Sequence, residues 1–249
     1  MRRALAIVLL LGCAACAPAA VSLAAAPDAP ERVLARAIEQ AGGAAALERA
    51  RSLEWEGDAT VHAGGRTVSI SGRWAVQPPD TAVVSTWEAS RGPESVRHLV
   101  LAAPRGWTVS RGAFTPMPPA MLASEREEFY LYSAMRLVPL RDPGVTLIPI
   151  PADSLGQRGI RARREGRPDV ELYVDASGRL AHLRIVLPAG SDGRAVRQDV
   201  WLDGSIEAEG VRWPRTIRIT QDGAPFFDLT LRSLRVGTAV SDSLLAGPR

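Results

Sequence analysis

The chain has no lysine: all 30 of its basic residues are arginine. That excludes the phosphate-binding loop G-x-x-x-x-G-K-[ST], which needs its ammonium group. Cysteine is almost as scarce, with Cys13 and Cys16 both close to the N-terminus. Everything beyond them has neither a disulfide nor a thiolate nucleophile, and its core alone must hold it together. Histidine is limited to His62, His98 and His182. They fall in three separate strand-like runs, at polar or mixed positions. No pair has the spacing of a helical metal site, and H-E-x-x-H is missing. They read as three half-exposed strand histidines, with no metal and no cofactor. No G-x-S-x-G elbow is present either, and no nucleophile–base constellation stands out, which disfavours a hydrolase.

A charge-driven function is also disfavoured. The formal charge is +3, and Arg2 and Arg3 belong to a leader. The remaining arginines are scattered singly along strands and do not cluster, which is not the footprint of a nucleic-acid partner.

The leader begins Met1-Arg-Arg and continues with an apolar core from Ala4 to Leu11. A permanent membrane span needs roughly 20 apolar residues, so this run reads as an export signal. Leu10-Leu-Gly-Cys13 resembles the bacterial lipobox, in which cleavage precedes a cysteine whose thiol is diacylated. Lipidation at Cys13 and a lipid-anchored protein in the periplasm are the expectation. The alternative is cleavage near Ala24, after Ser22-Leu-Ala24, giving a soluble periplasmic protein without cysteine. Residues 1–26 are leader and tether; residues 27–249 form a single domain, large enough for a sizeable core.

Glu31 to Arg51 carries helical spacing at Val33, Leu34, Ala37, Ile38 and Ala41, with a break at Gly42-Gly43. Strands follow. Leu53 to Val61 alternates, Gly64-Gly65 suits a tight hairpin, and Thr67 to Val76 puts Val68, Ile70, Trp74 and Val76 on one face. Near the C-terminus, Val211, Trp213, Ile217 and Ile219 share one face of a single run. After Asp222-Gly223, so do Phe227, Leu229 and Leu231. Leu234 and Val236 fall on even positions, which predicts a bulge at Ser233.

Between these blocks, Pro119 to Val138 reads as a helix stopped by Pro139. Its first half, with Glu125, Glu127 and Glu128, reads as a solvated face. Its second half, with Phe129, Leu131, Tyr132 and Met135, is apolar nearly all round and must be buried on more than one side. Asp199 and Asp203 read as outward, polar strand positions. The fold class is α+β: a strongly curved antiparallel sheet of about ten to twelve strands, forming a half-open β-barrel around the inserted helix.

This order resembles the bacterial LolA/LolB-like superfamily. The resemblance rests on Ala41-Gly-Gly43, Leu53-Glu-Trp-Glu-Gly-Asp-Ala-Thr-Val61, the inserted helix, and Gly210-Val-Arg-Trp-Pro214 before a final hairpin. It implies a periplasmic carrier or receptor that holds acyl chains of a lipid or lipoprotein inside its barrel, in transport or sorting to the outer membrane, without catalysis. Lipidation at Cys13 matches the anchored receptor better than the soluble carrier. By this resemblance the inserted helix is the part to compare with the family's lid. The lining expected is Trp55, Val68, Ile70, Trp74, Phe129, Leu131, Tyr132, Trp213, Ile217, Ile219, Phe227, Leu229 and Leu231. The partners are acyl chains, and the membrane surface if the chain is lipidated; nucleic acid is not one, and the protein is expected to be a monomer. The alternative is an envelope stress sensor or scaffold of the same fold, its interior simply packed and its outer face bound to a protein.

Overall fold

The computed structural model describes residues 29–187, 194–237, 239–240 and 242–247. The leader, Cys13, Cys16 and both cleavage sites lie outside the described residues.

Two helices come first, α1 (Pro30–Gln40) and α2 (Ala44–Arg49). Val33, Leu34, Ala37 and Ile38 form the buried stripe of α1, as a repeat of 3.6 residues requires. Six strands follow as a meander: β1 (Ser52–Ala63), β2 (Arg66–Gln77), β3 (Thr81–Glu88), β4 (Arg97–Ala102), β5 (Arg105–Ser110) and β6 (Ala113–Pro116). Helix α3 (Pro119–Met135) interrupts. The strands then resume as β7 (Val145–Ile150), β8 (Arg158–Arg164), β9 (Val170–Val174), β10 (Leu180–Leu187), β11 (Val196–Asp203), β12 (Ile206–Ala208), β13 (Val211–Trp213), β14 (Thr216–Gln221) and β15 (Ala224–Gly237).

Thirteen of these make one antiparallel sheet in the order β6-β5-β4-β3-β2-β1-β15-β14-β11-β10-β9-β8-β7. The first and last strands in sequence, β1 and β15, pair in its middle and join the two meanders. The outer edges, β6 and β7, remain unpaired with each other. In sequence α3 connects those two edges, so it must cross the gap between them. It packs against β4 of one arm and β10 of the other, which sets the helix inside a curved, open sheet.

Several expectations hold. The break between α1 and α2 falls at Gly42 and Gly43, with φ of 114° and 85°. Asp222 and Gly223 both have positive φ, 48° and 85°, and close the β14–β15 hairpin. The bulge is also where the alternation shifts: Glu56 pairs with Ser233 while Gly57 pairs with Leu231. Arg232 is the extra residue, and the inward set passes from Leu229 and Leu231 to Leu234 and Val236.

Other details differ. The run Val211 to Ile219 is two strands. Pro214 has no N–H to donate, and β13 leaves the main sheet to pair with β12. The sheet itself is wider than expected, because β6 takes up residues assigned to the approach of α3. The helix α3 ends at Met135 and not at Val138. Leu137, with φ 61°, turns the chain before Pro139 is reached.

The two glycine motifs of the sequence meet in space. The backbone N–H of Arg212 donates to Ala41 O at 2.9 Å, and its guanidinium donates to Gln40 O at 3.0 Å. These bonds dock the β12–β13 hairpin on the end of α1. At Gly42 a Cβ would lie 2.0 Å from Gly210 O, and the φ there is already unfavourable for a side chain. Gly42→Ala should therefore cost ~2 kcal/mol or more, read as a lowered urea midpoint with unchanged slope. A midpoint within error of the parent would refute the close approach.

Candidate functional site

The inward residues of β1 and β2 face each other in register: Trp55 opposite Trp74, Ala59 opposite Ile70, Val61 opposite Val68. On β14 and β15, Ile217 stands opposite Leu229 and Ile219 opposite Phe227. Strand alternation thus places the main-sheet residues of the expected lining on the concave side, while Trp213 reaches it from the separate β12–β13 hairpin.

An aromatic cluster occupies its centre. Trp55 stacks near-parallel with Trp74 at 6.5 Å and touches Tyr132 at 5.3 Å and Trp213 at 6.4 Å between ring centres. Trp74 meets Phe227 edge-on at 6.4 Å, and Phe129 meets Tyr132 at 5.9 Å. Trp55, Trp74, Phe129, Leu131, Trp213, Ile217, Ile219, Leu229 and Leu231 are all buried. The last two turns of α3 are buried all round, through Phe129, Tyr130, Leu131, Ser133, Ala134 and Met135. Val68, Ile70, Tyr132 and Phe227 are half-buried. The interior is packed beneath the end of α3 and open towards the β1–β2 hairpin.

Two hollows reach it. One, of about 650 Å³, lies where α1, the turn after α3 and the β11–β14 corner converge. Met135, Leu137, Leu202, Trp213, Ile217 and Leu229 give it apolar walls; Arg179, Arg212, Arg218, Asp175, Asp203 and Asp228 give it charged ones. The other, of about 1060 Å³, includes Val61, Val68 and Ile70 at the hairpin end. Both are on the scale of ligand pockets. Among the described residues, the indole N–H groups of Trp55 and Trp213 are buried and have no acceptor, a costly state for a donor.

The glutamates of α3 need correction. Glu127 is engaged by Arg167 at 3.3 Å, but Glu125 and Glu128 do not form a solvated face. Both are half-buried within the protein. Burial first, and then the charge of Glu128, pushes the Glu125 carboxyl up to about 8. Burial also raises Glu128 and, with both glutamates nearby, the Tyr132 hydroxyl. The sequence hid this, because a polar helix half looks solvated until a sheet folds round it.

His182 and Asp199 also depart from expectation. His182 is fully buried and Asp199 nearly so. They do point to the convex face, but that face is covered locally. The His182 ring is sandwiched between Trp201 at 3.8 Å and Tyr173 at 5.0 Å, and its Nε2 lies 2.9 Å from Asp199. Burial lowers the imidazole below its ordinary range against the opposing pull of Asp199. The ring is neutral, and its contribution to stability is lost as pH falls below about 6.5. Arg184 donates to the same oxygen of Asp199 that His182 meets, Oδ1, at 2.7 Å, and Arg197 holds the other, Oδ2, at 3.2 Å. This is a structural cluster. His62 and His98 are half-buried, as expected. No group of His, Cys, Asp and Glu among the described residues could hold a metal.

The pH dependence of Glu125 has the opposite sign. Its carboxyl keeps its proton in the folded state, so its contribution is full below the ordinary 4.5 and lost as pH rises through about 8. Glu125→Gln should remove that loss: relative to the parent, the variant gains stability between pH 5 and pH 8.5 in urea unfolding. A difference that does not change with pH would contradict the raised carboxyl.

No protein-family model matches the chain, and a search of curated proteins finds no match. Solved structures do match. A LolA superfamily protein from Nitrosomonas europaea superposes with TM-score 0.56 at 10% identity, over 87% of this chain and 96% of that one. A candidate outer membrane lipoprotein-sorting protein domain from Vibrio parahaemolyticus gives 0.53 at 10% identity, over 87% and 97%. A DUF1329 family protein from Desulfovibrio piger gives 0.54 at 9% identity, over 86% and 96%. At such identities the likeness is one of fold: this chain has the half-open antiparallel architecture seen in LolA superfamily structures.

Proposed function

We propose that this protein is a non-catalytic carrier or receptor of the bacterial envelope. It holds acyl chains of a lipid or lipoprotein against the concave face of its sheet, in transport or sorting towards the outer membrane. The observation that carries this reading is the apolar concave face, open at the hairpin end, whose centre is covered by the helix crossing from one sheet edge to the other, with α1 and Trp213 beside it. A chain lying along such a wall gains about 0.8 kcal/mol per buried methylene, before ordering costs. The unpaired indole N–H groups of Trp55 and Trp213 supply donors for an ester or amide carbonyl near the chain. The half-open fold shared with a candidate lipoprotein-sorting domain agrees with the same role.

The remaining parts follow from this reading. Residues 27–249 act as one lipid-binding domain behind a leader, lipidated at Cys13 or cut near Ala24, and work as a monomer in the periplasm. Among the described residues no helix is long and apolar enough to cross a membrane. Access is gated by the end of α3, because Phe129 and Leu131 are buried over the aromatic cluster and must shift for a chain to reach it.

One observation favours a second reading. The centre of the interior is filled, with Trp55 at 0% exposure, as in a scaffold or sensor that binds a protein partner on its outer face. Lipid uptake separates the two. Val68→Ser with Ile70→Ser, at half-buried positions that the fold tolerates, should weaken uptake of a fluorescent phospholipid from vesicles about tenfold, the loss of part of two apolar contacts. Leu131→Ser should change its rate. Uptake unaltered by all three substitutions would favour the scaffold.

A further inference from the structure

Many arginines of this sheet answer a carboxylate. Arg73 and Arg235 reach Glu54 at 2.6 and 3.0 Å, Arg161 reaches Glu171 at 2.6 Å, Arg164 reaches Asp142 at 2.8 Å, and Arg232 pairs with Asp58. The hollow at the hairpin end is different. Its wall carries Arg91, Arg97 and Arg111, all exposed, and among the described residues neither Arg97 nor Arg111 has an ion pair.

The register explains where Arg97 points. Gly72, Thr86, Arg97 and Ser110 are successive rungs across β2, β3, β4 and β5. Gly72 lies between Ile70 and Trp74 on the inward set, so Arg97 rises from the concave face beside the apolar floor of Val61, Val68 and Ile70. Two carboxylates share the hollow. Glu88 lies 3.8 Å from Arg91. Glu94 folds back over its own turn, with its oxygen where a Cβ on Gly92 would be 2.9 Å away. Glu88 stands opposite Ile70 on the same face, but neither carboxylate lies within ion-pair distance of Arg97 or Arg111 among the described residues.

An apolar floor continuous with the interior, rimmed by two guanidinium groups that form no ion pair among the described residues, matches an amphiphile whose chains end in an anionic phosphate. Guanidinium presents a donor fork to phosphate oxygens. Resting on the acyl-chain reading above, we infer that the hairpin-end hollow is a head-group site that selects phosphate-bearing anionic lipids, with Arg97 and Arg111 on the phosphate and Val61, Val68 and Ile70 under the first methylenes.

The test is calorimetric titration of the full chain with dihexanoyl phosphatidylglycerol and dihexanoyl phosphatidylcholine. Both are monomeric in water and have identical chains. The site should prefer the anionic lipid about tenfold, a preference that shrinks with added salt. Arg97→Gln with Arg111→Gln should bring the ratio of the two affinities close to one. Both substituted residues are exposed and unpaired, so the fold is not at stake. Equal binding of the two lipids by the parent protein, or a double variant that keeps the preference, overturns the head-group site and leaves chain binding standing. Binding of neither lipid overturns both.

Discussion

The pairing of β1 with β15 is the interaction on which the molecule depends. It joins a six-stranded meander to a seven-stranded one and brings the two ends of the folded chain together in the middle of the sheet. Because the pairing is antiparallel and in register apart from the bulge at Arg232, the apolar faces of both meanders look the same way. A sheet this wide curls under its own twist. Its edges do not meet, and its apolar concave face must be covered by something other than a closing strand.

That cover is chiefly helix α3, with α1 packed against β7 and β8 and Trp213 brought in from the β12–β13 hairpin. The sequence makes α3 amphiphilic along its length and not round its circumference. Its apolar end is buried on all sides against Trp55, Trp213 and their neighbours. Its polar end carries Glu125 and Glu128 into a setting where Glu125 holds a proton to about pH 8. A protonated carboxyl is far cheaper to keep beside apolar groups than a carboxylate. The interior is thus graded from a dry, aromatic centre to a half-open end near Val68 and Ile70. The convex face is built on another principle: cross-strand pairs of arginine with aspartate or glutamate, interrupted by the buried His182–Asp199 cluster and by the segment carrying Val240, Leu244 and Leu245, which packs over Val83, Val100, Trp107 and Val109.

Much of this was legible in the sequence. Period-two alternation named the inward residues of β1, β2, β14 and β15. Gly64-Gly65 and Asp222-Gly223 placed their hairpins, and the shift from Leu231 to Leu234 located the bulge. Those signals are local, set by backbone sterics and side-chain direction. What stayed hidden depends on contacts between distant segments. Alternation says which way His182 and Asp199 point, but not that Tyr173 and Trp201 will cover them. The spacing of Glu125 and Glu128 says helix, but not that the sheet will wrap that half of it. The sequence also collected the aromatic residues that cluster in the interior, but not Arg97 of the proposed head-group site, because a lone arginine on a strand looks the same whether or not a carboxylate awaits it across the ladder.

The central claim is that the interior holds acyl chains. It is tested most directly by native mass spectrometry of the domain from Asp28 onward, exported to a bacterial periplasm and purified without detergent. The account predicts excess mass that matches phospholipid and disappears on organic extraction. A clean apo mass that persists after incubation with lipid vesicles would contradict it and leave the packed interior as a scaffold's core.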